Sequence, residues 1–322
     1  MLTKKDKPIQ NNTQPLDFKL AMPSLLIGVF ILSFAAIFIR LSESELGPAG
    51  TIFNRYLIAF VVLYLWDRIQ SLSIASNLTK PEENIELKDW GDFILSSIFG
   101  TLATFFWAWS LTQTSVANSN LLHNMTPIFA TLGGWLFLSQ SFDLKFLLGM
   151  SLALIGVITI GWGDFQADAS SLGGDALALL SAVFYAANYL IREKLRSKFS
   201  ATKILLWSCF FSLCFTLCLT LITEDQIFPQ TWQTWLAVLG LGLLCQILGH
   251  GLLIHNLKHF SSSFVTISML LEPLLTAIFA WLIFAEPLTY LNWIAFLLVL
   301  AGIYLTKESK GAIKKISSVP TK

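Results

Sequence analysis

Charge is scarce in this chain. Only 13% of its 322 residues are Asp, Glu, Lys or Arg, roughly half of what a soluble domain carries. Net charge is +1, so the chain lacks the basic footprint of a nucleic-acid binder. Cysteine is scarce as well. Cys209, Cys214, Cys218 and Cys245 lie within apolar runs, without metal-site spacing or the framework of a secreted disulfide domain. They read as small apolar residues. Enzyme signatures are missing: there is no HExxH, no GxSxG, no Gly-rich phosphate loop and no CxxC. His123, His250, His255 and His259 lack metal-ligand spacing with carboxylates. No cofactor and no metal are expected, and the reading is not an enzyme. The filter loops or charged rings of a channel are also wanting.

What is present is 55% hydrophobic residues, gathered into long runs. Ten spans can be drawn: Leu20–Leu41, Ala49–Trp66, Phe93–Leu111, Ala117–Leu138, Phe146–Trp162, Ala176–Ile191, Ile204–Ile222, Trp235–Ile254, Phe264–Phe284 and Leu291–Thr306. A bilayer core about 30 Å thick takes roughly 17 to 25 helical residues. Helices apolar on every face suit a lipid surround. Trp66, Trp90, Trp162, Trp232 and Trp235 stand near span ends, where amphipathic rings favour the interface. The N-terminal tail is too polar, and the first span too long, for a cleaved signal peptide.

Lysine and arginine are missing from every other loop. The N-terminal tail holds Lys4, Lys5, Lys7 and Lys19; the second loop Arg68, Lys80 and Lys88; the fourth Lys145. The sixth holds Arg192, Lys194, Arg196, Lys198 and Lys203, the eighth Lys258, and the C-terminal tail Lys307, Lys310, Lys314, Lys315 and Lys322. Only Arg40 and Arg55 fall outside this alternation. It predicts ten spans with both termini in the cytoplasm and 164–175 facing outward.

The chain also repeats itself. Shifted by 146 residues without a gap, Pro127 meets Pro273, Trp135 meets Trp281, Leu136 meets Leu282, Gln140 meets Glu286 and Gly156 meets Gly302. Spans three to five thus resemble spans eight to ten. Two halves of five spans must lie in opposite orientations, the inverted repeat of many secondary transporters. The expected organisation is a polar tail at 1–19, one repeat at 20–162, a second at 176–306 and a basic tail at 307–322.

"SVANSNLLHNMTPIFATLGGWLFLSQSFD" and "SSSFVTISMLLEPLLTAIFAWLIFAEPLT", with "GDALALLSAVFYAANYLIREKL" and "FNRYLIAFVVLYL", resemble the two halves of the EamA family of the drug/metabolite transporter superfamily. The likeness runs from about Leu20 to Thr306. It implies an all-α polytopic membrane protein, a ten-helix basket around a central cavity, that exports or exchanges small metabolites. Gln140 stands where the family commonly has an acid, kept in the second half as Glu286.

Candidate site residues follow from polarity inside the spans. Asn120, His123, Asn124 and Pro127 fall at i, i+3, i+4 and i+7, on one helical face. Facing lipid, each unsatisfied group would cost several kcal/mol. The face must therefore meet protein or water, as interhelical bonding or as a cavity wall. Ser181, Tyr185 and Asn188 share a face of span six, and Thr101, Thr104 and Trp107 one of span three. Gln246, Gly249 and His250 sit mid-span in the eighth, and Thr266, Met269 and Glu272 along the ninth. Pro127 and Pro273 each remove a backbone donor and kink or hinge their helices. Intramembrane charges are functional or paired. Arg55 reads as snorkelling, bonding to carbonyls, or matching the family's basic residue, and Glu272 as a proton site or a helix cap. His250, with an ordinary pKa near neutrality, is a second coupling candidate. Arg55 has no basic companion at its depth in the sequence, which disfavours a phosphate ligand. The expected partners are a small solute, membrane lipid and a proton as coupling ion. The expected setting is a bacterial inner membrane. The function expected is secondary active export of amino acids or similar small amphipathic metabolites by alternating access. Import or exchange of nucleosides, sugars or phosphorylated metabolites is the alternative within transport, and a membrane sensor the alternative outside it.

Overall fold

A computed structural model describes residues 14–72, 85–110, 113–161, 172–284 and 290–313. Among these the chain is helical, apart from one antiparallel bridge between Phe260 and Ile313. The helices are α1 (Gln14–Leu32), α2 (Ala35–Ser42), α3 (Pro48–Leu72), α4 (Leu87–Ser110), α5 (Val116–His123), α6 (Thr126–Phe137) and α7 (Leu144–Gly161). Then come α8 (Leu172–Arg196), α9 (Ala201–Thr223) and α10 (Trp232–Leu239). A π-helical stretch (Gly240–Gly249) leads into α11 (His250–Asn256), followed by α12 (Ser262–Met269), α13 (Glu272–Phe284) and α14 (Tyr290–Lys307). The tails before 14 and after 313, and the outward-predicted 164–171 with Trp162, lie outside the described residues.

The helices outrun the apolar spans because their caps lie in polar sequence. Ser115, Ser200, Thr231 and Ser261 each accept an N–H three residues on with the side-chain oxygen, satisfying a donor the helix leaves free. Eight stretches among the described residues are long and apolar enough to cross a membrane, from Leu20–Ser42 to Tyr290–Lys307, and Leu144–Thr159 is a shorter apolar helix. Their outer faces carry exposed side chains such as Ile27, Leu65, Trp66, Trp135, Phe137, Trp232 and Leu297. Such a surface belongs in hydrocarbon, with Trp toward the interface. Trp90 behaves differently: its ring packs edge-on against Trp207, 4.5 Å away. The chain is an integral membrane protein.

Three spans expected as single helices are broken, and a fourth changes its winding. The breaks at Asn124–Met125 and Leu270–Leu271 are 146 residues apart and just precede Pro127 and Pro273. In each, the chain tightens to i−3 bonds, Met125 N–H to Leu122 O at 3.1 Å and Leu271 N–H to Ser268 O at 3.2 Å. Proline two residues later cannot donate and its ring crowds the preceding turn. The first span breaks at Ser33–Phe34 with no proline. There Thr276 Oγ1 donates to Ser33 O at 2.9 Å, so α13 satisfies the freed carbonyl.

Packing pairs are α7 with α14, α4 with α8 and α9, α3 with α9 and the π stretch, α6 with α8 and α12, and α1 with the π stretch and α11. At one end the Lys-rich loops meet: Lys194 pairs with Asp92 at 2.8 Å, Lys198 with Asp89 at 2.7 Å and Lys145 with Glu308 at 2.5 Å. Residues 308–313 cross this end. Ser261 donates N–H to Ala312 O and Oγ–H to Gly311 O, both at 2.9 Å. At the other end two lysine-free loops cap each other's helices. Glu224 accepts Gly47 N–H at 3.0 Å and Ala49 N–H at 2.7 Å, and Glu45 accepts Gln230 N–H at 2.9 Å.

Candidate functional site

The first break gathers the polar face of α5. Trp107 Nε1–H donates to Asn120 Oδ1 at 3.1 Å. Asn124, at the C-terminal cap of α5, turns Nδ2–H back to Asn120 O at 2.8 Å. Thr126 Oγ1–H reaches His123 O at 2.6 Å. His123 Nδ1 lies 2.8 Å from Ser181 Oγ. Ser181 gives its one proton to Ala103 O at 2.8 Å, so the imidazole Nδ1–H is the donor to Ser181. The buried helix-end groups are thus satisfied from within.

Rings connect this face to the second half of the chain. Trp107 and His123 lie 5.9 Å apart, His123 and Tyr185 5.3 Å, and Tyr185 and Tyr189 5.2 Å. The Tyr189 hydroxyl then stands 3.4 Å from His250 Nδ1. The ladder runs from α4 through α5 and α8 to α11. Trp107, Asn120, His123, Asn124, Tyr185, His250 and Glu272 are all half-buried between the helices.

Charge gathers at the far end of the ladder. Arg55 on α3 donates Nε–H to Gln246 Oε1 at 2.9 Å, and Gln246 Nε2–H points to Cys209 Sγ at 3.6 Å. Gly242 makes that approach possible: a Cβ there would stand 2.7 Å from Ile58 Cγ2. The partner of Arg55 is therefore a side chain of the π stretch, not a helix carbonyl. Glu272 opens α13 at the second break, where a carboxylate complements the helix N-terminus. Together these residues offer hydrogen-bond donors and acceptors, flat ring faces and both signs of charge to a small molecule.

Other candidates stand apart from this cluster. Asn188 is buried against α4, accepting from Ser96 Oγ at 2.8 Å. Thr104 bonds back to Gly100 O at 3.1 Å, Thr101 faces Ser212 Oγ at 3.3 Å, and Thr266 bonds Ser263 O at 2.9 Å. Pro127 is buried at the start of α6, and Pro273 is half-buried at the start of α13. Gly249 would press a Cβ to 2.8 Å from Leu32. Glu286 lies outside the described residues, and Gln140 Nε2–H donates to Glu193 Oε1 at 2.8 Å. Three further interior groups belong here. Tyr189 is fully buried, and Arg192, which charge counting assigns to a loop, is buried on α8 beside the buried Glu193. The i, i+3, i+4 spacing of Tyr185, Asn188 and Tyr189 marks a helix face, but the run of charges from Arg192 masks the helix's continuation.

A model of the EamA-like transporter family matches residues 19–162 and again residues 172–307. An uncharacterized transporter of Archaeoglobus fulgidus is 26% identical over 290 residues, covering 88% of this chain and 96% of the relative. The pseudopaline exporter CntI of Pseudomonas aeruginosa is 21% identical over 288 residues, covering 88% and 95%. A solved crystal structure superposes with a TM-score of 0.73 at 15% identity, over 90% of this chain and 98% of its own. At that identity the likeness concerns the fold.

Proposed function

Because this chain belongs to the EamA-like transporter family, we propose that it is a secondary active transporter exporting amino acids or similar small amphipathic metabolites by alternating access. In this reading ten spans form two inverted repeats, 20–162 and 176–306, and both termini lie in the cytoplasm of a bacterial cell. The observation that carries it is the pair of helix breaks 146 residues apart, at Asn124–Met125 and Leu270–Leu271. Their helices α6 and α12 pack on one another. Discontinuous helices at the meeting of two repeats are where such transporters hold their solutes. The packing supports the repeat. Span three lies on span six as span eight lies on span one, and span three on seven as eight on two. The export direction draws on the relative named as an exporter.

Glu272 is the proposed coupling group, with His250 sharing the proton. A carboxylate at a helix break changes its demand for water when it gains a proton, and that difference biases which way the site opens. The Glu272→Gln protein, reconstituted in sealed vesicles with an imposed pH gradient, should exchange solute passively but fail to accumulate it. Accumulation by Glu272→Gln, or wild-type flux indifferent to the gradient, would show that Glu272 only caps α13.

A further inference from the structure

Two arginines between the helices, Arg55 and Arg192, have no carboxylate within ion-pair distance among the described residues. Arg55 makes its bond to the neutral amide of Gln246. Arg192 is 6% exposed, its Nε has no hydrogen-bond partner, and its guanidinium lies over the Tyr189 ring, 5.7 Å from the centroid. An unpartnered guanidinium donor in the interior is costly.

The two side chains are linked to successive turns of one helical segment, Arg55 directly and Arg192 through the Tyr189 ring. Gln246, which holds Arg55, and His250, which meets the Tyr189 hydroxyl at 3.4 Å, lie one turn apart where the π stretch passes into α11. Nearby acids do not balance the two guanidinium groups. Glu272 opens α13 and makes no ion pair with either arginine. Glu193, beside Arg192 in sequence, accepts Gln140 Nε2–H at 2.8 Å and Ser262 N–H at 2.7 Å.

We propose that Arg55 and Arg192 form a two-cation subsite for an anionic group of the solute, a carboxylate or a phosphate, beside the Tyr185–Tyr189 ring pair. The inference rests on the transport reading, in which solute reaches this interior. Planar guanidinium groups suit carboxylate and phosphate oxygens. The rings beside them suit an apolar or aromatic body, and Glu272 suits a cationic group where the solute carries one.

Matched probes test it: 3-phenylpropionate, benzylphosphonate and the neutral 3-phenylpropanamide. Binding is read as the shift in unfolding temperature of the detergent-solubilised protein. At least one of the two anions should stabilise the wild type, and the amide should not. Whichever anion gives the larger shift identifies the group. Arg55→Gln and Arg192→Gln should each weaken that anion about 30-fold or more. Arg192→Lys, which keeps the charge but loses the planar fork, should retain part of the affinity. Equal shifts with anion and amide, no shift with either anion, or unchanged anion affinity in either Gln variant would overturn the subsite. Flux of the same labelled probes into vesicles separates the two claims. Equal flux of acid and amide removes the subsite and leaves transport standing. Arginine-dependent anion binding without flux of any probe keeps the subsite and counts against transport.

Discussion

Gly302 has no side chain because there is no room for one. A Cβ there would stand 2.6 Å from Ala153 N and 2.6 Å from Gly149 O, both main-chain atoms of α7. Its repeat partner Gly156 is as tight, with Val299 Cγ2 at 2.7 Å and Ala295 O at 2.9 Å. Small residues let membrane helices approach closely, where dispersion and weak hydrogen bonds act along the whole seam. Gly302→Leu should therefore destabilise the protein by about 1 to 3 kcal/mol, the usual cost of overpacking, and lower its unfolding temperature in detergent. An unchanged melt would mean that α7 and α14 slide apart freely. The sequence exposes this pair through its self-match, since the glycines align at the 146-residue offset. It does not expose the depth of Arg192. Among Lys194, Arg196, Lys198 and Lys203 that residue looks like one more loop cation, and only the extension of α8 to Arg196 draws it inside. Asn188 shows the converse. It shares a helical face with Ser181, yet a wide helix face meets two neighbours, and Ser96 on α4 takes its carbonyl oxygen.

At the scale of helices, periodicity and hydropathy make the spans legible but not their interruptions. Pro127 and Pro273 announce two breaks. The Ser33–Phe34 break has no local signature, because what stabilises it is a hydroxyl from Thr276, 243 residues away. The π winding of Gly240–Gly249 is equally silent in the sequence. Its three glycines admit close neighbours, but the extra residue per turn comes from tertiary fit. If the paired breaks are the joints at which the half-helices tilt, straightening one should slow the cycle. Alanine restores the missing N–H and favours a continuous helix by about 3 kcal/mol over proline. Pro273→Ala should cut the maximal transport rate several-fold while leaving the half-saturating solute concentration nearly unchanged. A rate equal to wild type in reconstituted vesicles would assign the proline to packing.

For the whole molecule, the alternation of lysine-bearing and lysine-free loops carries more information than any single span. Loops that the alternation puts on one side touch one another: 89–92 with 194–198, and 143–145 with 308–310. The lysine-free loops 45–50 and 224–231 are likewise bound together. The proposed orientation follows from the positive-inside rule. In a background without native cysteines, a cysteine at Asp225 should react with an impermeant maleimide from outside intact cells, and one at Ser197 only after lysis. The reverse pattern would invert the topology and, with it, the direction of export.

The crossing of residues 308–313 also bears on how the molecule is made. Ser261 is tied to Gly311 and Ala312, Lys145 to Glu308, and Gly311 sits where a Cβ would press within 2.7 Å of Phe142 Cδ1. Hydrogen bonding to Lys145 holds the Glu308 carboxyl below the ordinary carboxylate range. A ribosome delivers these six residues after both loops they fasten, and some 160 residues after Lys145. At domain-typical elongation speeds of about 5 to 20 residues per second, the early half waits on the order of ten to thirty seconds in the bilayer with that end unfastened. The clasp is a late step in assembly, closed by the part of the chain that arrives after the helices it joins.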